Sequence, residues 1–297
     1  MRSRLRPLLV NEGEVRTDAA LREAAEALGY RVSPKVRVAD VLDIDRSGLS
    51  DPAYGYALRS HFDWVVYDSE TNLPEFAVEF DGESHEDPAA RRRDVTKNGI
   101  CAIFGLPLLR IDKAAYRPTI RRTVIGYLVE SWAAYRGFCD AQERGDIPEE
   151  EIFTPWAVLD VGDDGRASFR DISGYARRMV ARLHESGRVT DWGPTSACRG
   201  SMEGDREHAE GFAWVGTPDG RLVVGHARIR AFSFPAVGDS DLAEDLALFD
   251  LADRLSRLTE GDDGVLVERT VASLPALGPG SGWSWGGPVT VADIPPA

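Results

Sequence analysis

Two short runs, Phe62-Asp63-Trp64-Val65-Val66-Tyr67 and Glu75-Phe76-Ala77-Val78-Glu79-Phe80-Asp81, carry acidic residues on segments otherwise rich in aromatic and β-branched side chains. That composition predicts two strands, and the polar stretch Asp68–Pro74 between them predicts a hairpin connection. Pairing Tyr67 with Glu75 and Val65 with Ala77 sets Asp63 opposite Glu79. Directly opposed residues have Cβ atoms about 5 Å apart, where like charges destabilise. Asp81, two residues beyond Glu79, falls on the same face by the period of a strand. Three carboxylates crowded on an apolar hairpin call for compensation, and a divalent cation such as Mg²⁺ or Mn²⁺ supplies it with one or two carboxylates and water. The plainer alternative is a solvated hairpin edge with ordinary surface acids.

The elements that must position these acids can be read on either side. Residues 17–28 predict a helix capped by Thr17 or Asp18 and stopped by Gly29, and Val36–Leu42 predicts a strand. A polar connection runs to about Ser60. Beyond the hairpin, Pro88 opens a helix that Gly105 ends, Leu106–Ile111 predicts a short strand, and a helix is expected from about Ala114 to Arg136. The order α-β-β-β-α-β-α places one helix between the third and fourth strands, the crossover that a mixed sheet needs.

After about residue 145 the chain restarts with an acidic linker. A helix near 172–184, strands near 188–202, 210–216 and 222–232, and an amphipathic helix over 239–258 predict a smaller α+β domain of order α-β-β-β-α. Gly and Pro fill ten of the 23 positions in 275–297, so that stretch is expected to be irregular. The expected divisions are 1–145, 146–260 and a Gly/Pro-rich tail over 261–297.

Charge separates the halves. Of the net −14, residues 1–145 carry 21 basic against 23 acidic residues, and the remainder 14 against 26. A polyanion would be repelled by the second half, so contact with nucleic acid is expected from the first, and contact with a protein partner from the second. No run of eighteen apolar residues predicts a spanning helix, and a soluble, cytoplasmic protein is expected. Cys101, Cys139 and Cys198 are widely spaced, which supports buried thiols over a disulfide framework or a structural zinc site. Gly282-Trp283-Ser284-Trp285-Gly286 matches a nucleophile-elbow pattern literally, but no histidine follows it. The α-β-β-β-α order resembles a double-stranded-RNA-binding fold in topology alone, and the acids of 239–253 oppose that use.

The segments His61–Asp68, Ala77-Val78-Glu79-Phe80-Asp81-Gly82-Glu83-Ser84-His85, Arg93-Asp94 and Gly105–Ile111 together resemble the PD-(D/E)XK nuclease superfamily. More narrowly, they resemble a restriction-endonuclease-like family of unknown function related to very-short-patch-repair endonucleases, over about residues 15–115. The resemblance implies a restriction-endonuclease-like α-β-β-β-α-β mixed-sheet core and Mg²⁺- or Mn²⁺-dependent cleavage of nucleic acid, DNA foremost. It implies Asp63 and Glu79 as metal ligands, with Glu23 at the accessory acidic position of the first helix. Asp81 stands where the superfamily usually has a lysine, so a catalytically inactive module that binds nucleic acid or protein is the alternative. His85 is the candidate for water activation or phosphate contact, and Lys97 for a lysine that has migrated to the helix. Asp94 is a candidate partner of His85. Arg91, Arg92, Arg93 and Arg110 are candidates for the phosphate backbone.

Overall fold

The computed structural model describes residues 7–81, 88–112, 123–155, 159–161, 167–169, 172–200, 208–268 and 283–286. The chain divides into two compact units, one of residues 1–153 with 232–236, the other of 154–231 with 237–297. It is mixed α/β, with a four-stranded mixed sheet in the first unit and a five-stranded antiparallel sheet in the second.

In the first unit, helix α1 spans Glu12–Glu26. It begins five residues earlier than expected because Asn11 is its cap, accepting from the Glu14 N–H at 2.7 Å. Thr17 lies inside the helix, its hydroxyl donating to the Gly13 carbonyl. Gly29, with φ 76°, takes the left-handed turn after the helix.

Strand β1, Tyr30–Arg37, precedes a single helical turn, α2, Val38–Val41, where a strand was expected through Leu42. The difference follows from pairing. The partner strand of β1 begins at His61, opposite Arg37, so beyond Arg37 there is no ladder to join. A second short helix, α3, Asp51–Ala57, opens with Pro52 inside the expected polar connection.

Strands β2, His61–Asp68, and β3, Pro74–Phe80, form the antiparallel hairpin. Its register pairs Trp64 with Val78, Val65 with Ala77 and Val66 with Phe76, the alignment expected from the sequence. It then shifts, so that Tyr67 pairs with Pro74 and not with Glu75. The connection explains the shift: Asp68 Oδ1 accepts from the Glu70 and Thr71 N–H groups, and Asn72 is left-handed, drawing the turn in by one residue.

Helix α4, Pro88–Phe104, crosses over to β4, Leu108–Ile111, which lies parallel to β3. The sheet order is β1-β2-β3-β4. Helix α5 covers Val124–Glu143, sharing 124–136 with the expected helix and running further, because Thr123 caps it and its apolar residues from Val124 to Trp132 are the buried ones. Residues 113–122, including Lys113, Arg117, Arg121 and Arg122, lie outside the described residues.

The sheet is buried on both faces. Val65, Ala77, Leu108, Ile100 and Cys101 cluster with Val38 and Ala57. Trp64, Phe76, Val78 and Leu109 are fully buried among the other strand side chains. Phe76 stacks edge-on against Trp132 of α5 at 5.5 Å and against Phe234 at 5.3 Å. Each such aromatic pair adds about 0.5–1.5 kcal/mol beyond its buried area.

The second unit holds the short antiparallel pair β5, Leu159–Val161, and β6, Ala167–Phe169, and then helix α6, Gly174–Glu185. Strands β7, Thr195–Arg199, β8, His208–Gly216, and β9, Leu222–Arg230, are followed by helix α7, Asp239–Thr259, which is the expected α-β-β-β-α order. Two further strands come from the expected tail: β10, Leu266–Val267, pairs with β9, and β11, Ser284–Gly286, which lies in the stretch expected to be irregular, pairs with β7. Helix α7 lies so close to the sheet that a Cβ on Gly211 or Gly225 would sit 2.2 Å from the carbonyl oxygen of Ala243 or Ala247. Only glycine allows that approach.

The cysteines are free. Cys101 and Cys198 are buried, and burial pushes both thiols up to about 12, which suits inert core residues. Among the described residues no helix is long and apolar enough to cross a membrane.

Candidate functional site

The registers of the first sheet align four charged residues in one row. Pro34 pairs with Trp64 and Val36 with Phe62, so Lys35 on the edge strand β1 lies opposite Asp63. The β2–β3 register sets Asp63 opposite Glu79, and the parallel β3–β4 pairing sets Glu79 beside Arg110. Across the sheet the order is cation, acid, acid, cation.

Asp63 and Glu79 touch as the hairpin predicts. The Asp63 N–H donates to Glu79 Oε1 at 3.3 Å, and the Phe80 N–H donates to Asp63 Oδ2 at 3.0 Å. Two lysines compensate them. Lys35 Nζ lies 2.7 Å from Asp63 Oδ1 and 2.9 Å from Glu14 Oε1. Lys97, on the sheet-facing side of α4, places Nζ 2.7 Å from Glu79 Oε1 and donates to the His61 carbonyl at 2.8 Å.

Glu79 is only 8 % exposed. Burial pushes its carboxyl from the ordinary 4.5 up to about 7; Lys97 pulls it down and the Asp63 charge raises it further. Burial therefore outweighs a close ammonium. For Lys35, burial pulls the ammonium down, but the hydrogen bonds to Asp63 and Glu14 dominate and hold it above its usual value. Burial likewise pushes Glu14 up, and the Val10 N–H together with Lys35 overcomes it and leaves Glu14 below the usual carboxylate range.

A second ion cluster lies beside the row. Arg110 is 3 % exposed and donates to Asp81 at 2.9 and 3.2 Å and to Asn98 at 3.0 and 3.2 Å, with Asp94 at 3.3 Å. Asp81 is itself buried. This corrects the expectation that Arg110 meets a phosphate backbone, since its guanidinium is enclosed and its donors are directed at protein acceptors. Nor does Asp81 stand as a third uncompensated acid, because Arg110 neutralises it. Asp94 also serves Arg110.

Among the other candidates, Arg92 and Arg93 are exposed on α4. Arg91 belongs to the same helix, with its side chain outside the described residues, and His85 lies in 82–87, also outside them. Glu23 is exposed on α1 and is not brought to the row. The acid of α1 that does arrive is Glu14. Nine residues separate the two, about two and a half helical turns, which puts them on opposite sides of the helix.

Sequence reasoning missed Glu14 and Lys35. Glu14 had a signal: Asn11-x-x-Glu14 has the spacing of a capping box, and Glu14 Oε2 does accept from the Val10 N–H at 2.8 Å. Lys35 had none, since its place depends on the β1–β2 register and on a left-handed φ of 53°. The N-terminus of α1 comes close to the site end of β3, where a Cβ on Gly13 would sit 2.6 Å from the Phe80 ring.

Asp63 and Glu79 are two hard-oxygen side chains able to serve one cation. Among the described residues no group of three or more His, Cys, Asp and Glu side chains is placed to hold a metal ion.

The model of a family described as a protein of unknown function, DUF2726, matches residues 6–126, a span that contains every member of the row and Glu14. Neither the curated proteins nor the solved structures give a match.

Proposed function

We propose that the first unit is a metal-dependent nuclease of the restriction-endonuclease-like type, hydrolysing phosphodiester bonds of nucleic acid, with DNA the preferred substrate class. The observation that carries this reading is the opposed pair Asp63–Glu79, inside a sheet buried on both faces, with an ammonium on each acid. An acid pair in such a place is costly unless positive charge meets it.

The donor chemistry fits Mg²⁺ or Mn²⁺, which are commonly held by one or two carboxylates together with water and substrate phosphate. Asp63 and Glu79 would hold the ion. Bound there, it would supply Lewis-acid polarisation of the phosphoryl group and a more acidic water. The protein's own contribution is to fix the two carboxylates through the Phe80 and Asp63 N–H groups and to keep Lys97 against Glu79. In the overall reaction a water oxygen forms a new bond to phosphorus, one P–O ester bond breaks, and the products are a phosphomonoester and an alcohol. The exposed Arg92 and Arg93 are suited to the phosphate backbone, whereas Arg110 is not.

One observation favours a second reading, a module that binds without cutting. Position 81, where the resembled superfamily places a lysine, holds an aspartate locked to Arg110. Supercoiled plasmid, single-stranded DNA and RNA incubated with Mg²⁺ or Mn²⁺ separate the two readings. Metal-dependent cutting of any of the three supports the nuclease. Retention of these nucleic acids in a gel-shift assay without cutting would replace it with the binding module.

A further inference from the structure

We propose that Lys35 is the substrate-facing cation of this site: its ammonium, shared by Glu14 and Asp63, would be released from Asp63 once that carboxylate holds a divalent cation, and would then donate to a non-bridging oxygen of the scissile phosphate. This rests on the nuclease reading and assigns the role that position 81 cannot fill. Asp81 is an acid in a buried pair with Arg110, so no cation is available there.

The other cations of the site, Arg110 of the row and Lys97 of α4, are poorly suited to move. Arg110 is enclosed and anchored by Asp81, Asn98 and Asp94. The side chain of Lys97 is 9 % exposed, and its ammonium is held between Glu79 and a main-chain carbonyl over the Phe62 ring. Lys35 differs in its exposure and in its partners. Its side chain is 27 % exposed, and both of its ion-pair partners are side-chain carboxylates. Its ammonium lies 6.0 Å from the centre of the Trp64 ring, so the stem has an apolar surface to lie on.

Backbone and neighbours point the same way. A lysine at φ 53° is uncommon outside glycine and asparagine positions, and such residues gather where surrounding structure holds a side chain to a task. Glu14 provides that hold. Its Oε2 is fixed by the Val10 N–H at the helix cap, and its Oε1 keeps Lys35 at the site after Asp63 is given up. Lys35 keeps its proton throughout and contributes charge at the phosphoryl oxygens, a role whose loss is expected to cost about a hundredfold in kcat.

The test compares full-length wild type with Lys35→Met, Lys35→Gln and Lys35→Arg, measuring Mn²⁺ affinity by calorimetry and plasmid cleavage in Mn²⁺. The expected result for Met and Gln is roughly tenfold tighter Mn²⁺ binding, because a competing cation is gone, together with kcat lower by about a hundredfold and KM changed little. Arginine is expected to restore part of kcat. A purely structural Lys35 would lower metal affinity and cutting together, and that outcome overturns the inference. So does cutting by a folded Met or Gln variant within about threefold of wild type. Wild type that neither binds Mn²⁺ nor cuts removes the proposed function itself, and this inference falls with it.

Discussion

Replacing Lys97 with methionine keeps a long side chain in the buried position but removes the ammonium 2.7 Å from Glu79 Oε1. The cost should depend on pH in a defined direction. Glu79 titrates near 7 in the folded wild type against an ordinary 4.5, so the folded state holds this proton longer than the unfolded chain does. Its contribution to stability therefore falls as pH rises from about 4.5 to about 7 and levels off above that. In Lys97→Met the attraction that lowers the Glu79 value is gone, the carboxyl stays neutral to higher pH, and stability keeps falling above 7. At pH 5.5 both folded proteins carry a neutral Glu79, and the variant loses only the hydrogen bonds of Lys97, roughly 1–2 kcal/mol. At pH 8.5 the variant loses about 2 kcal/mol more, at about 1.4 kcal/mol for each pH unit above 7. The total approaches the 3–5 kcal/mol typical of breaking a buried ion pair. Urea unfolding of wild type and variant at the two pH values, followed by tryptophan fluorescence, measures the difference. Equal losses at both, or a larger loss at pH 5.5, would refute the idea that Lys97 supports an ionised, buried Glu79.

Three other outcomes follow from the same geometry. Mn²⁺ affinity should rise about tenfold per pH unit below about 7 and level off above it, because Glu79 must release its proton to bind; a flat calorimetric profile from pH 5.5 to 8 would contradict this. Asp81→Ala should destabilise the protein by about 3–5 kcal/mol by leaving Arg110 buried without its main partner, and a loss under about 1 kcal/mol in urea would show that Asn98 and Asp94 suffice. In the second unit, Gly211→Ala should cost about 1–3 kcal/mol or more, because its Cβ would meet the Ala243 carbonyl at 2.2 Å; an unchanged melting temperature would mean that α7 does not lie as close as described.

What could be read from the sequence was what local pattern encodes. The β2–β3 register follows from alternation on two aromatic strands, and that alternation alone sets Asp63 opposite Glu79. Pro88 and Gly105 bracket α4, which placed Lys97 on a helix beside the hairpin. The sheet neighbours of those residues are set by contacts distant in the chain. Lys35 reaches Asp63 through a strand pairing 28 residues apart and a backbone angle that no pattern announces. The Asp81–Arg110 pair depends on a parallel crossover, so local pattern alone leaves Asp81 as a third acid of the hairpin and Arg110 as a candidate for phosphate contact. Glu14 lies ahead of the Thr17 start that the apolar stripe suggests, and its only local signal is the Asn11-x-x-Glu14 cap. In the second unit, β10 and β11 are two- and three-residue strands, too short to show a period.

The most direct test of the proposed function is plasmid nicking in Mg²⁺ or Mn²⁺ by wild type, Asp63→Asn and Glu79→Gln, each confirmed as folded by circular dichroism and each repeated with excess EDTA. The account predicts cutting by wild type that EDTA stops and that either substitution lowers by a hundredfold or more, as expected when a ligand to a single catalytic cation is lost. Cutting that survives both substitutions would place the chemistry elsewhere in the chain, and a wild type that never cuts, with or without metal, would contradict the assignment of Asp63 and Glu79 as a nuclease centre.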